Sequence, residues 1–208
     1  MSNTEITICG IGPGNADYIC PAVLKQVAKA DILIGGSRHL QIFDQYNKAT
    51  DVFTGNMENL KHSIAANSNK HIVVLVSGDA GFYSLRSFIK SEFADSLINI
   101  IPGISSYQYM YAKLGMGYER AFLASMHGKE VNYINMINTH ESVFLLTDKK
   151  NTPKAIAQNL VDNGLDNVTV HIGNNLSYPN EQIISYTAQQ VTEIEHHFDL
   201  CSVIIENN

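Results

Sequence analysis

Three glycine-centred loops, each entered from a short apolar run, punctuate the first half of this chain and leave few folds open to it. Ile6-Thr7-Ile8-Cys9 runs into Gly10-Ile11-Gly12-Pro13-Gly14. Ile72 to Val76 runs into Ser77-Gly78-Asp79-Ala80-Gly81-Phe82-Tyr83-Ser84, and Ile98 to Ile101 into Pro102-Gly103-Ile104-Ser105-Ser106. Short apolar runs bounded by turn residues read as strands. Helical patterns lie between them: Pro21 suits a first helical position, Val23, Leu24, Val27 and Ala28 follow at helical spacing, and Glu58 to Ala66 predicts a further helix. Asp31-Ile32-Leu33-Ile34 predicts a second strand, closed by Gly35-Gly36. This alternation predicts an α/β fold. In a parallel sheet ligands bind beyond the carboxyl ends of the strands, so the three loops point to one ligand-binding edge.

The alternation then restarts. Tyr107, Met110, Tyr111 and Leu114 form one apolar helical face, which Ser105 or Ser106 can cap. Gly115-Met116-Gly117-Tyr118-Glu119-Arg120 reads as a linker, dividing an N-terminal α/β domain, 1–115, from a second, 116–208. Ala121 to Ser125 and Val143 to Thr147 are strand-like; Thr152-Pro153 opens a helix with Ile156, Ala157, Leu160 and Val161 inward, and Gly164 stands where a left-handed cap belongs. Val168 to Ile172 and Leu200 to Ile205 complete a second, mixed sheet.

Composition narrows the function. A net charge of -6 argues against nucleic acid as the main partner. No apolar run nears the ~20 residues of a membrane span and the first residues are not basic, so a soluble, cytoplasmic protein is expected. Cys9, Cys20 and Cys201 have no metal-ligand spacing and read as reduced thiols. No metal site is expected.

The first loop invites comparison with a dinucleotide fingerprint, but Asn15 occupies the place of the third glycine. The second strand ends in Gly35-Gly36 where an acidic ribose partner belongs, and no lysine of the phosphate-loop type follows any loop. NAD and nucleoside triphosphates are therefore disfavoured. Each loop taken alone could be a plain turn, since Gly supplies positive φ; the ordered set of three points to a site.

The loops resemble those of the tetrapyrrole (corrin and porphyrin) methyltransferases, and among these the cobalt-precorrin carbon-5 subgroup of cobalamin biosynthesis. The distinguishing stretches are Gly35 to Leu40, Ser77 to Tyr83, Pro102 to Ser106, Ser125-Met126-His127-Gly128-Lys129, Leu145 to Asp148, and Ile172 to Glu181. Asn15-Ala16 and Ala80 depart from the family's usual Asp and Pro, without loss of a glycine. The resemblance implies two α/β domains with a cleft between them for S-adenosylmethionine, and a homodimer. Carried over by position, cofactor contacts fall on Pro13, Asp79, Phe82, Ser105, Ser106, Leu146, Thr147 and the Gly173-Asn174-Asn175 turn. Some relatives carry a fused domain acting at carbon 15; that chemistry is expected of a separate protein here.

Methyl transfer is an in-line displacement at an activated carbon, so orientation can serve in place of a protein nucleophile. No Ser-His-Asp or Cys-His arrangement can be read from the chain. The macrocycle is anionic, so local cations are needed on this acidic protein. Arg38, His39, His127, Lys129 and the pair Lys149-Lys150 lie beside the motifs, with ordinary solvated charge as the alternative. His127 is the candidate base by resemblance, and His196-His197 read as surface residues. Another superfamily member with a different target, or a non-catalytic nucleotide- or tetrapyrrole-binding module, remains the alternative function. Valine at Gly12 or Gly103 is expected to damage binding more than folding, on the premise that both need positive φ.

Overall fold

The computed structural model describes residues 4–128, 130–196 and 198–207. The chain divides into two compact units, residues 1–105 and 106–208. The division falls ahead of the linker read at 115–120, so the helix that follows the third glycine loop belongs to the second unit.

The first unit runs β1 (Glu5–Gly10), α1 (Pro21–Lys29), β2 (Ile32–Gly35), α2 (Ser37–Gln41), β3 (Ala49–Val52), α3 (Met57–Ala66), β4 (His71–Val76), α4 (Arg86–Glu92) and β5 (Leu97–Ile101). Its strands form a parallel sheet in the order β3-β2-β4-β1-β5. Helices cover both faces, which is why the inner strands β1, β2 and β4 are buried almost throughout rather than on one face only. Ile6, Ile8, Ile32, Ile34, Ile72 and Val74 pack with Leu60, Ile64 and Ile89 of α3 and α4. The alternate residues Cys9, Leu33, Val73 and Leu75 pack with Val23, Val27 and Leu40 of α1 and α2. Of the expected α1 stripe, Val23 and Val27 are buried while Leu24 and Ala28 face outward. Burial pushes the Cys9 thiol up to about 12, leaving it inert at neutral pH.

The second unit runs α5 (Ser106–Leu114), β6 (Ala121–Ser125), α6 (Tyr133–Ile137), β7 (Ser142–Leu146), α7 (Pro153–Asp162), β8 (Thr169–Asn174), β9 (Gln182–Thr187), α8 (Ala188–Thr192) and β10 (Cys201–Glu206). The sheet order is β6-β7-β10-β8-β9. Only the β6–β7 pair is parallel, so the sheet is mixed, as the sequence suggests. Val143, Leu145, Val170, Ile172, Val203 and Ile205 bury one face against α7 and α8. Thr152 caps α7 by accepting the Ala155 N–H at 3.2 Å, Pro153 follows at its first turn, and Gly164 beyond its end has φ 75°. On the other face Tyr111 is fully buried, its hydroxyl 2.6 Å from Ser142 Oγ, and Tyr107 meets Phe144 edge-on. The buried stripe of α5 is Tyr109, Met110 and Tyr111 rather than the four residues expected: Tyr107 and Leu114 are half-buried. Tyr109 is drawn inward by its hydrogen bond to Glu181, which also pairs with Lys113 at 3.1 Å.

Candidate functional site

Because β4, β1 and β5 are neighbours in a parallel sheet, the three glycine loops leave the same edge side by side. Their backbones then join. The Gly12 N–H donates to the Gly78 carbonyl at 3.1 Å and the Gly78 N–H returns to the Gly12 carbonyl at 2.8 Å, an antiparallel bridge just beyond the parallel β1–β4 pair. Asp79 ties in the third loop: Oδ1 accepts the Gly103 N–H and Oδ2 the Gly81 N–H, each at 3.1 Å. Its carboxylate is thus a strut between loops, and each oxygen keeps a lone pair for a further donor.

Space, more than dihedral freedom, dictates glycine here. A Cβ on Gly10 would lie 2.7 Å from both the Gly103 nitrogen and the Gly78 oxygen. Gly12 does sit at φ 81°, as its sequence context predicts. Gly103 does not belong to the left-handed set: it is glycine because the carbonyls of Gly10 and Gly78 press against it. The premise of positive φ holds for one of the two and fails for the other.

Pro13 is buried and Phe82 half-buried, stacked edge-on with Tyr83 at 4.8 Å between centroids. Ser105 is buried and Ser106 opens α5. In the second unit Leu146 and Thr147 end β7, Asn174 ends β8, and both flank the start of β10. Thr147 Oγ1 donates to the Cys201 carbonyl at 2.6 Å, so it offers only lone pairs to anything else. Asn174 is 7% exposed, and its Oδ1 is buried with no hydrogen-bond partner among the described residues. Such an acceptor costs stability unless a donor reaches it.

The cationic candidates separate. Arg38 is exposed in α2, just beyond β2. His39 is turned inward beneath Gly36, and burial, reinforced by the Arg38 charge, lowers its pKa to about 4 against a hydrogen bond to the Leu75 carbonyl. It is neutral at physiological pH, which corrects its reading as part of a positive patch. His127 is exposed, with Nδ1 3.2 Å from Ser125 Oγ. Lys149 and Lys150 are exposed as well, and Lys129 and His197 lie outside the described residues.

The sequence reading missed Asp148. Its Oδ1 accepts the Asn151 N–H at 2.7 Å, the Lys150 N–H at 2.9 Å and Asn151 Nδ2 at 3.0 Å. These bonds, the Asn151 N–H first and one from the Gly128 backbone among them, hold its carboxyl below the usual carboxylate range. Asp148 therefore clamps the 148–151 turn to the His127 loop. A cleft of about 550 Å³ beside it is lined by Met126, Gly128, Glu130, Tyr133, Asp148 and Asn151. The pattern Asp-Lys-Lys-Asn is the signal of such a turn, since Asp bonds backbone two residues on.

Comparison with known proteins places this geometry. The family model of the Tetrapyrrole (Corrin/Porphyrin) Methylases matches residues 5–192. A cobalt-precorrin-7 C(5)-methyltransferase of Salmonella typhimurium is 36% identical over 178 residues, covering 86% of this chain and 88% of that one. The precorrin-6Y methylase of Archaeoglobus fulgidus superposes with a TM-score of 0.77 at 18% identity, covering 98% of each chain. The uroporphyrin-III C-methyltransferase of Thermus thermophilus, solved with S-adenosyl homocysteine, gives 0.80 at 14% identity over 97% of each chain. At these identities the two solved structures speak for the fold alone. With the three joined glycine loops, the family match and the 36% relative, the chain belongs to the tetrapyrrole (corrin/porphyrin) methylases.

Proposed function

We propose that this protein is a methyltransferase of cobalamin biosynthesis that moves the methyl group of S-adenosylmethionine to carbon 5 of a cobalt-precorrin or precorrin. The observation that carries this reading is the 36% identity to a C(5)-methyltransferase across 86% of the chain. The residues fit the cofactor: S-adenosylmethionine brings amine and ammonium donors, and Asn174 Oδ1 is a buried acceptor without one. It has no phosphate, in keeping with loops that lack a phosphate-binding lysine. When bound, it supplies a methyl carbon activated by a sulfonium.

Pro13, Asp79, Phe82, Ser105, Ser106, Leu146, Thr147 and Asn174 are the residues proposed to hold the cofactor. Asp79 and Thr147 can each accept a hydrogen bond with the lone pairs they retain. Orientation in such a site can supply ~7–11 kcal/mol toward an in-line displacement, so no protein nucleophile is required. Arg38, His127 and Lys129 are proposed to face the macrocycle's carboxylates, with the Asp148 clamp setting the His127 loop. A homodimer in the cytoplasm completes the reading.

Calorimetric titration with S-adenosylhomocysteine and NAD tests it: the first should bind and the second should not. NAD binding with no response to S-adenosylhomocysteine would sink the proposal, as would failure to methylate any of a panel of precorrins. Arg38→Glu should weaken precorrin binding roughly ten- to a hundredfold, the equivalent of one charge-assisted contact of about 1.5–3 kcal/mol. Its affinity for S-adenosylhomocysteine should stay unchanged. An equal loss for both ligands would show that Arg38 does not read the substrate.

A further inference from the structure

Three polar side chains on adjacent strands of the second sheet form a chain that the methyl-transfer reading leaves unused. Ser185 on β9 lies opposite His171 on β8, with Ser185 Oγ 2.7 Å from His171 Nδ1. His171 Nε2 lies 3.1 Å from Glu206 Oε2 on β10. A carboxylate only accepts, so Nε2 carries the ring proton, and Nδ1 is left as the acceptor of the Ser185 hydroxyl. His171 is 7% exposed and its ring is fixed at both ends, whereas Ser185 is exposed. Nucleophile, base and orienting carboxylate thus stand in hydrogen-bonding order.

The strand register adds a donor. The Ala188 N–H donates to the Val168 carbonyl at 3.0 Å, which makes 188 and 168 a hydrogen-bonded pair. Such pairs alternate, so Ser185 and His171 form a non-hydrogen-bonded pair, in which side chains approach more closely. Because β9 is the edge of the sheet, the N–H of Ser185 itself points to the open side. A nucleophile's own N–H can serve an oxyanion.

We propose that Ser185, His171 and Glu206 form a nucleophilic triad that accepts the acyl group of a small activated ester. Ser185 Oγ bonds to the ester carbonyl carbon as its proton passes to His171 Nδ1. Glu206 holds the resulting imidazolium. The alkoxide leaves with that proton when the ester C–O bond breaks. Water, deprotonated by the same nitrogen, then attacks the acyl-serine, releasing the carboxylic acid and restoring the hydroxyl.

The full-length protein is mixed with p-nitrophenyl butyrate, and the burst of p-nitrophenol and the acylated peptides are measured by mass spectrometry. Butyrylation is expected on Ser185 at least a hundredfold faster than in the same chain unfolded in urea, the scale of general-base assistance. Ser185→Ala should remove the adduct and leave the circular dichroism spectrum unchanged. Glu206→Gln should slow acylation tenfold or more while Ser185 stays in place. Acylation of Ser185 no faster than in the unfolded chain, or a folded Glu206→Gln variant that reacts at the wild-type rate, would overturn the proposal.

Discussion

Gly103→Val is expected to prevent the first unit from folding rather than to impair ligand binding selectively. A Cβ at 103 would lie 2.5 Å from the Gly10 oxygen and 2.6 Å from its carbonyl carbon, with the Gly78 oxygen also in contact. These are backbone atoms of the inner strand β1 and of the loop after the neighbouring β4, so no rotamer change can relieve the clash. The Asp79 bond to the Gly103 N–H would be lost as the loop moves away. A cost of about 4–5 kcal/mol is the scale of the severest single substitutions. Set against a net stability of about 5–15 kcal/mol, that leaves little or no folded domain. Gly164→Ala provides the contrast: its φ is 75° and nothing lies within 4 Å of the added Cβ, so only αL strain of about 1–2 kcal/mol applies. Urea titrations followed by circular dichroism compare the two. Gly103→Val melting beside the wild type would show that the three loops are not packed backbone to backbone.

The second large effect is a pH dependence seated in His39. In the unfolded chain this ring titrates near 6.5, and in the fold only near 4. Below 6.5 the unfolded state binds a proton that the native state refuses, so stability falls as pH drops from 6.5 to 4 and levels off below that. The full difference corresponds to about 3 kcal/mol. The ring is partly exposed, and screening reduces this to about 2 kcal/mol. His39→Gln removes the titration and retains a side-chain donor for the Leu75 carbonyl. Between pH 7 and 4.5 the wild type should lose about 1.5 kcal/mol more than the variant, beyond what carboxylate titration costs both. Parallel pH profiles for the two proteins would mean that His39 is not held neutral. His39→Leu, which lacks the hydrogen bond, should likewise show the flatter profile.

What the chain disclosed before folding follows from how each signal is encoded. β1 and β4 were legible because both faces of their sheet are covered, which forces runs such as Ile72 to Val76. The caps of α7 were legible because Thr152, Pro153 and Gly164 act locally. β3 escaped notice since Ala49, Thr50 and Val52 lie exposed on an edge and carry no apolar pattern. β9 escaped for a related reason: Gln182-Ile183-Ile184-Ser185-Tyr186-Thr187 has neither clean alternation nor a continuous run. At the site, glycines 10, 12, 78 and 103 announced a crowded edge, but not that Asp79 spans 24 positions to brace the third loop. The neutral state of His39 depends on its burial against the folded sheet, and the partners of His171 stand 14 and 35 positions away. Such couplings exist only once the strands have been brought side by side.

The strand order of the first sheet also governs the timing of its assembly. Glu5 of β1 pairs with His71 and Leu97, 66 and 92 positions further on, whereas β2 meets β3 only 17 positions away, Ile32 to Ala49. At about 5–20 residues per second of synthesis, β1 spends roughly 5–20 s without its second neighbour. Ile6, Ile8 and Cys9, all fully buried in the finished sheet, are in the meantime accessible to other chains or to chaperones. Contacts so distant along the chain make for slow closure. The second unit waits less: Ser142 of β7 meets Glu206 of β10 after 64 positions, and β8 and β9 are consecutive antiparallel strands that can pair as soon as both have emerged. The N-terminal unit is therefore synthesised first and yet has the longer wait for its central pairings, which makes β1 the stretch most exposed to aggregation during biosynthesis.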